Sequence, residues 1–493
     1  MTRRVVEHLG ELLADAGFGR ERHLALMEMP HGVPPAHAFA AFDRHEDARL
    51  ATLISLFHDC RTVSRADAET ALDPLAVNDL IEAGLVDSNA SGLHARVRLS
   101  AIDGTLLTGD TPSERGNASF VTPLTPSGRT VAYTTVRRSV GAALDLGTGS
   151  GIQALLAARH AWRVVGVEIN PHALARAELS RRMNGVHNVT WVEGDWFEPV
   201  DDQRFDLVVA NPPVAISPDN TLLARDSTIG GEALSRLIVK QSAEHLAEGG
   251  FATVLCHWAR RTGKPDNGPA EWVAGLGCDA LVLTLSTRDP LDYALAEVAG
   301  PESPGSPSVT ETVRRWLGHH RDMGVERISV GVVVMRRRSG GPSWVREFDM
   351  HGEPTAPAGD QLERMFAGGD FLATNSGAVQ LGKLLGTAWH APDGQRLDQA
   401  LVYQDGGYGF GDAVIRHEHG VGLSARADWR VVPVIVDCDG RRPLGAVLRE
   451  IAIPEGLDQP EFHTLCLTAV RDLIARGFLV PGPITDGAPP AAD

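Results

Sequence analysis

Leu50, Leu53, Ile54 and Phe57 recur at helical spacing in EDARLATLISLFHD, near the start of a chain whose periodicity changes twice. Ser64, followed by acids in SRADAETAL, marks a second helix start. DPLAVNDLIEAGLVD puts Pro74 in a first turn and Gly84 at the end of a third helix. The period then drops to two: LHARVRLSAIDGTLLTG alternates around Asp103-Gly104, a hairpin signal. Short helices followed by a hairpin predict an N-terminal helical, winged-helix-like module over residues 1–138. Such a module recognises a macromolecule or simply packs.

From residue 139 the pattern becomes strand, helix, strand. GAALDLGTG, RVVGVEI, VTWVEGD, FDLVVANPP and FATVLCHW are short apolar runs. Between them lie the helix-like IQALLAARH, PHALARAELSRRMNG and ALSRLIVKQSAEHLAEGG. DALVLTLS and RISVGVVVMRRR add two strands, separated by AGPESPGSPSVTE and a helix around Arg314–His320. This rhythm predicts an α/β domain over 139–342, a doubly wound sheet of seven strands. The pattern changes again at 343, where PAGDQLERMFAGGDFL, DGRRPLGAVLREIA and PEFHTLCLTAVRDLIARGFLVP predict an α+β module over 343–480, with a second winged-helix-like turn and helix. The Pro- and Ala-rich end, 481–493, predicts a disordered tail. No internal repeat occurs.

Composition narrows the function more than the fold. A chain of 493 residues exceeds one ordinary core, and a formal charge of −17 disfavours non-specific binding to nucleic acid. Residues 343–493 are the most acidic part, with 21 acids against 12 bases. Cys60, Cys256, Cys278, Cys438 and Cys466 are scattered, odd in number and without C-x-x-C spacing, so neither a disulfide framework nor a metal site is expected. No run approaches about 18 apolar residues, and MTRRVVEHLG lacks an apolar h-region, so a soluble cytoplasmic protein without membrane contact is expected.

The chemistry gathers at the ends of the parallel strands. LDLGTGSG places Asp145, Gly147, Thr148, Gly149 and Gly151 after the first strand, where glycines let the backbone turn and a ligand approach closely. The spacing G-x-G-x-G is not the G-x-G-x-x-G of dinucleotide sites. Glu168 ends the second strand and suits a pair of ribose hydroxyls; Asn170 then opens a helix. Asp195 in EGD follows the third strand and suits an exocyclic amine, with Trp196 beside it to cover a ring. Asn211-Pro212-Pro213 ends the fourth. Each piece alone reads as a turn or a surface acid. Their common position at carboxyl strand ends, where open α/β sheets bind ligands, makes them a site.

With these motifs the chain resembles, over about residues 120–260, the class I methyltransferases that use S-adenosylmethionine on a Rossmann-like sheet. It most resembles the small-domain N-methyltransferases carrying Asn-Pro-Pro-aromatic: HemK/PrmC-like release factor glutamine enzymes, adenine-N6 DNA enzymes and ribosomal RNA guanine-N2 enzymes. The resemblance implies that Asp145, Gly147, Thr148, Gly149, Gly151, Glu168, Asn170, Asp195, Trp196 and Asn211 hold the cofactor. Asn211, Pro212 and Pro213 become the catalytic residues, because the Asn211 side-chain oxygen and the Pro212 carbonyl each accept one N–H of a planar NH₂ and point its lone pair at the methyl group. No metal is implied.

Val214 departs from the family, in which that position is aromatic and stacks on the group being methylated. Stacking of this kind is worth about 1–3 kcal/mol on bases, so valine disfavours a flipped base. Trp196, Phe120 or Trp258 as substitute, a small aliphatic amide as target, or a different nucleophile all stay open. RDSTIGGEALSRLI resembles the release factor group, which implies that Arg225, Asp226 and Gly231 shape the substrate mouth with Val214. A protein or peptide acceptor is therefore expected ahead of nucleic acid, docked between the N-terminal module and that mouth. A cofactor-fold scaffold with little catalysis is the reading of another class. Cys256-His257 reads as a buried strand end rather than a reactive pair, and Arg336-Arg337-Arg338 as a solvated strand exit. The oligomeric state is not encoded in these patterns.

Overall fold

A computed structural model describes residues 2–19, 46–219, 229–263, 268–298, 307–341, 343–373, 377–404 and 406–482. Residues 483–493 of the tail expected to be disordered, residues 299–306 of the segment before the Arg314–His320 helix, and Arg225 with Asp226 lie outside the described residues; Pro481 of the expected tail instead pairs with Trp389. By contact the chain forms two compact units, 1–132 with 138–272 and 288–329, and 133–137 with 273–287 and 330–493.

In the first unit, α1 (Thr2–Asp15) buries Val5, Val6, Leu9, Leu12 and Leu13 along one stripe. α2 (Glu46–Leu53), α3 (Arg65–Leu72) and α4 (Val77–Glu82) follow. Ser64 caps α3, its hydroxyl accepting the Asp67 N–H at 3.1 Å. Pro74 precedes α4 in a turn rather than starting it, and Gly84, at φ +70°, ends it. The hairpin β1 (Val86–Asn89) and β2 (Gly92–Ala95) comes next, and Val63 bridges to Leu93. β3 (Arg98–Ile102) and β4 (Thr105–Gly109) form the hairpin expected at Asp103-Gly104, both of which take positive φ.

The same unit holds α5 (Pro126–Tyr133, the last residue apart), β5 (Val140–Leu146), α6 (Ile152–Ala157), β6 (Ala161–Glu168), α7 (Pro171–Met183), β7 (Val189–Glu193), β8 (Phe205–Ala210), α8 (Gly231–His245) and β9 (Leu246–Arg261). Their order in the sheet is β9-β8-β5-β6-β7, and the pairs β5·β6, β5·β8, β6·β7 and β8·β9 are all parallel. β5 thus lies between β6 and β8, the point where a doubly wound sheet reverses direction. The short α9 (Pro269–Val273), then α10 (Pro290–Val298) and α11 (Pro307–Asp322), complete this part of the chain.

The second unit contains β10 (Cys278–Arg288), most of β11 (Val325–Arg337) and β12 (Val345–Asp349), in the order β12-β10-β11. β5 to β11 are the seven strands expected; β12 is an eighth, parallel to β10, within a segment read as belonging to the C-terminal module. α12 (Gly359–Ala373) and α13 (Gly377–Gly386) lead to β13 (Ala388–His390). A meander β14 (Gln395–Gln404), β15 (Gly407–His417) and β16 (Ser424–Ala427) follows, then α14 (Val432–Val436), β17 (Asp439–Pro443), α15 (Leu444–Glu450), α16 (Gln459–Ala475) and β18 (Val480–Pro481). The arginine triplet is not a solvated exit. Arg336 lies 2.7 Å from Asp279 and 2.6 Å from Asp370, and Arg338 reaches Asp279 at 3.0 Å. Asp279 is fully buried, so the fold needs these cations to neutralise it.

Candidate active site

Strand register brings the motifs side by side. Leu146 pairs with Ala210 on one side and Val167 on the other, and Glu168 pairs with Glu193. Asn211, Gly147, Glu168 and the Glu193–Asp195 turn therefore stand in a row across the sheet end, each about 5 Å from the next.

The glycine turn needs its glycines. Gly147, Gly149 and Gly151 have φ of 66°, 55° and 89°, values a side chain disfavours. A Cβ on Gly151 would stand 3.2 Å from the Trp191 ring. Asp145 ties the turn together from below: its Oδ2 accepts Thr148 Oγ1 at 2.5 Å and the Ala154 N–H at 2.9 Å. Burial pushes its carboxyl up to about 7, against the pull of those two bonds, and the nearby Glu168 charge pushes the same way. Asp145 is only 2 % exposed, so it supports the loop rather than facing a ligand.

Glu168 accepts the Gly149 N–H at 2.9 Å on Oε2 and the Asn170 N–H at 3.0 Å on Oε1. Each oxygen keeps a lone pair for a hydroxyl. Asn170 is buried; its Oδ1 caps α7 through the His172 N–H at 3.0 Å and its Nδ2 donates to Ser119 O at 3.2 Å. It is a framework residue of the loop. Asp195 is exposed, and its carboxylate has no partner among the described residues. Trp196 holds a φ of 44°, and its ring comes within 3.7 Å of where a Cβ on Gly147 would stand. A left-handed glycine turn, a half-satisfied acid, a free acid and a ring over the turn fit an adenosyl cofactor.

Asn211 is half-buried, and its side-chain amide has no hydrogen-bond partner among the described residues. Its Nδ2 lies 3.7 Å from where a Cβ on Gly128 would stand, an ordinary contact distance, so Gly128 is its neighbour. Gly128 is fixed in turn: its N–H donates to Thr125 Oγ1 at 2.9 Å and its carbonyl accepts Gln153 Nε2 at 2.8 Å. The sequence reading passed over Gly128; its signal was the helix start TPSG. Pro212 is buried and Pro213 half-buried.

Val214 is 2 % exposed. It packs inward and offers no plane to a substrate. Gly231 is not part of an open mouth: a Cβ there would fall 2.1 Å from Val214 O and 2.5 Å from Ala215 O, so this glycine lets α8 start directly against the motif's backbone.

Three further residues hold the same segment. Ile216 donates its N–H to Tyr293 Oη at 2.9 Å and accepts His320 Nε2 at 2.7 Å on its carbonyl. His257 Nδ1 lies 2.8 Å from Tyr293 Oη. His257 and Cys256 are adjacent on β9 and point to opposite faces, so they are not a reactive pair. Burial, with the Arg288 charge, holds the His257 imidazole down at about 3, and it stays neutral. All five cysteines are free. Among the described residues there is no group of three His, Cys, Asp or Glu able to hold a metal, and no helix long and apolar enough to cross a membrane.

The family model of the "Methyltransferase small domain" matches residues 129–259, and one described as a domain of unknown function (DUF7059) matches residues 2–96. The chain is 41 % identical over 127 residues to a protein of Geobacter sulfurreducens named release factor glutamine methyltransferase, covering 23 % of this chain and 44 % of the relative. It is 32 % identical over 161 residues to the protein of that name from Xylella fastidiosa, covering 29 % and 56 %. The chain thus spans about half the length of these relatives. A solved methyltransferase from Geobacter sulfurreducens is 17 % identical, with 45 % and 94 % coverage and a TM-score of 0.28. The strand order and the family match make residues 129–259 a methyltransferase small domain of the class I, S-adenosylmethionine-dependent kind.

Proposed function

We propose that the chain is an N-methyltransferase acting on a planar amide or amino nitrogen of a macromolecule, with a protein glutamine-type acceptor favoured. The observation that carries this reading is the Asn211 amide, unpartnered among the described residues and in register with the glycine turn and Glu168. Bound S-adenosylmethionine supplies an electrophilic methyl. The chain's part is alignment. An amide NH₂ is a poor nucleophile because its lone pair is delocalised. Asn211 Oδ1 and the Pro212 carbonyl each take one N–H, which turns the remaining lone pair toward the methyl. The prolines fix φ and hold both acceptors still. Glu168 and Asp195 hold the ribose and the adenine amine, and Trp196 covers the ring.

Two observations support a protein acceptor. Relatives that the chain matches are named release factor glutamine methyltransferase, and the inward Val214 removes a stacking plane for a flipped base. One observation favours a nucleic acid, an adenine or guanine amine, instead: α2, the Val63 bridge, α3, α4 and the β1–β2 hairpin follow one another in winged-helix order. Incubation with methyl-labelled cofactor and total cell lysate, followed by separate protease and nuclease treatment, separates the two. Label lost to protease supports the protein reading; label lost only to nuclease overturns it. Calorimetry that finds no cofactor binding leaves the scaffold reading.

A further inference from the structure

Pro212 and Pro213 have no N–H, so the chain leaving β8 is not held by donors at those two positions. Ile216 is held on both sides of its peptide, through the Tyr293 hydroxyl and the His320 imidazole. Both side chains are fully buried and come from α10 and α11, outside residues 129–259. Tyr293 Oη accepts the Ile216 N–H and lies 2.8 Å from His257 Nδ1. His320 donates from Nε2 to the Ile216 carbonyl, and its buried Nδ1 has no partner among the described residues. Two residues beyond Ser217, Asp219 accepts Trp316 Nε1 at 2.8 Å and Arg315 Nη2 at 2.7 Å. Segment 214–219 is therefore clamped from α11 and α10 on one side and meets α8 at Gly231 on the other.

We propose that Tyr293, oriented by His257 and joined by His320, is a positioning residue for the acceptor nitrogen. By fixing Ile216 it sets, through the stiff Pro-Pro unit, where the Pro212 carbonyl and the Asn211 amide stand. This rests on the N-methyltransferase reading. All three side chains are buried and act through the backbone of Ile216. Their effect is on alignment, where a displacement of about 1 Å costs on the order of 100-fold.

The test uses the full chain and scores the initial rate of labelled methyl transfer into lysate, normalised to S-adenosylmethionine binding sites counted by calorimetry. Tyr293→Phe keeps the ring and removes the hydroxyl; it is expected to lower the rate per site at saturating cofactor about tenfold, with cofactor affinity within about twofold. His320→Leu is expected to do the same. His320→Gln, whose amide nitrogen reaches near Nε2, and His257→Asn, whose amide can take either hydrogen-bond role near Nδ1, are expected to keep most of the rate. Hydrogen exchange at the Ile216 amide is expected to quicken in Tyr293→Phe. Unchanged rates per site in Tyr293→Phe and His320→Leu overturn this inference alone. A loss of rate that only mirrors lost binding sites also overturns it, since that is a structural role. Absence of transfer by the wild-type chain, with cofactor bound, overturns the N-methyltransferase reading beneath it.

Discussion

Gly149 donates its backbone N–H to Glu168 Oε2 at 2.9 Å, so the glycine turn after β5 is tied to the acid that ends β6. One carboxylate both shapes the loop and offers its remaining lone pairs to a ribose. Glu168→Ala is expected to weaken S-adenosylmethionine binding by about 1.5–3 kcal/mol, the range for a lost hydrogen bond to a charged group. Asp195→Ala, which removes an exposed acid with no structural duty, is expected to cost less. Isothermal calorimetry checks both, and equal affinities for wild type and Glu168→Ala would remove Glu168 from the cofactor site.

Asn211 separates binding from chemistry. Its amide supports nothing else among the described residues, so Asn211→Ala leaves the fold intact. Cofactor affinity is expected to change little, while turnover falls by roughly 10²-fold, because a positioned acceptor used in the transition state is lost. Wild-type turnover in this variant would reduce Asn211 to a turn residue.

The strands that carry the site were legible because parallel strands buried on both faces read as unbroken apolar runs, and glycines and prolines punctuate their ends. LDLGTGSG and FDLVVANPP show this directly. Tyr293 and His320 were not legible. Their partner Ile216 is 77 and 104 residues away, and a lone aromatic or histidine on an apolar helix face looks like any core residue. Arg336 and Arg338 misled for the same reason, since Asp279 and Asp370 become neighbours only in the fold. β14–β15 was missed because GGYGFGD lacks apolar alternation; Tyr403, Tyr408 and Phe410 there stay exposed.

Gly231 gives a prediction about packing. A methyl at this position would meet two backbone oxygens, which move less readily than a side chain. Gly231→Ala is expected to destabilise by about 1–3 kcal/mol, as overpacking does, and to slow methyl transfer by shifting the Val214–Ala215 backbone. Urea unfolding and the transfer assay measure the two effects; a variant unchanged in both would mean that α8 yields freely.

Asp145 carries the pH dependence. Its folded carboxyl titrates at about 7, against about 3.9 in an unfolded chain, so between these values the folded protein holds a proton the unfolded chain has lost. Its contribution to stability therefore falls as pH rises from about 4 to 7 and is constant above, the reverse of an ion-paired acid. His257 acts oppositely: below about 6.5 the unfolded chain gains a proton that the buried imidazole, titrating at about 3, refuses. In the wild-type protein these two slopes offset one another across the shared window. Asp145→Asn removes one of them. The stability of this variant relative to wild type is expected to improve with rising pH by up to about 1.4 kcal/mol per pH unit, levelling off above pH 7. Urea unfolding at pH 5, 6, 7 and 8 reads it out. A difference that stays flat would show that Asp145 is ionised throughout in the native state, with its charge offset by Thr148 and the Ala154 N–H rather than removed by protonation.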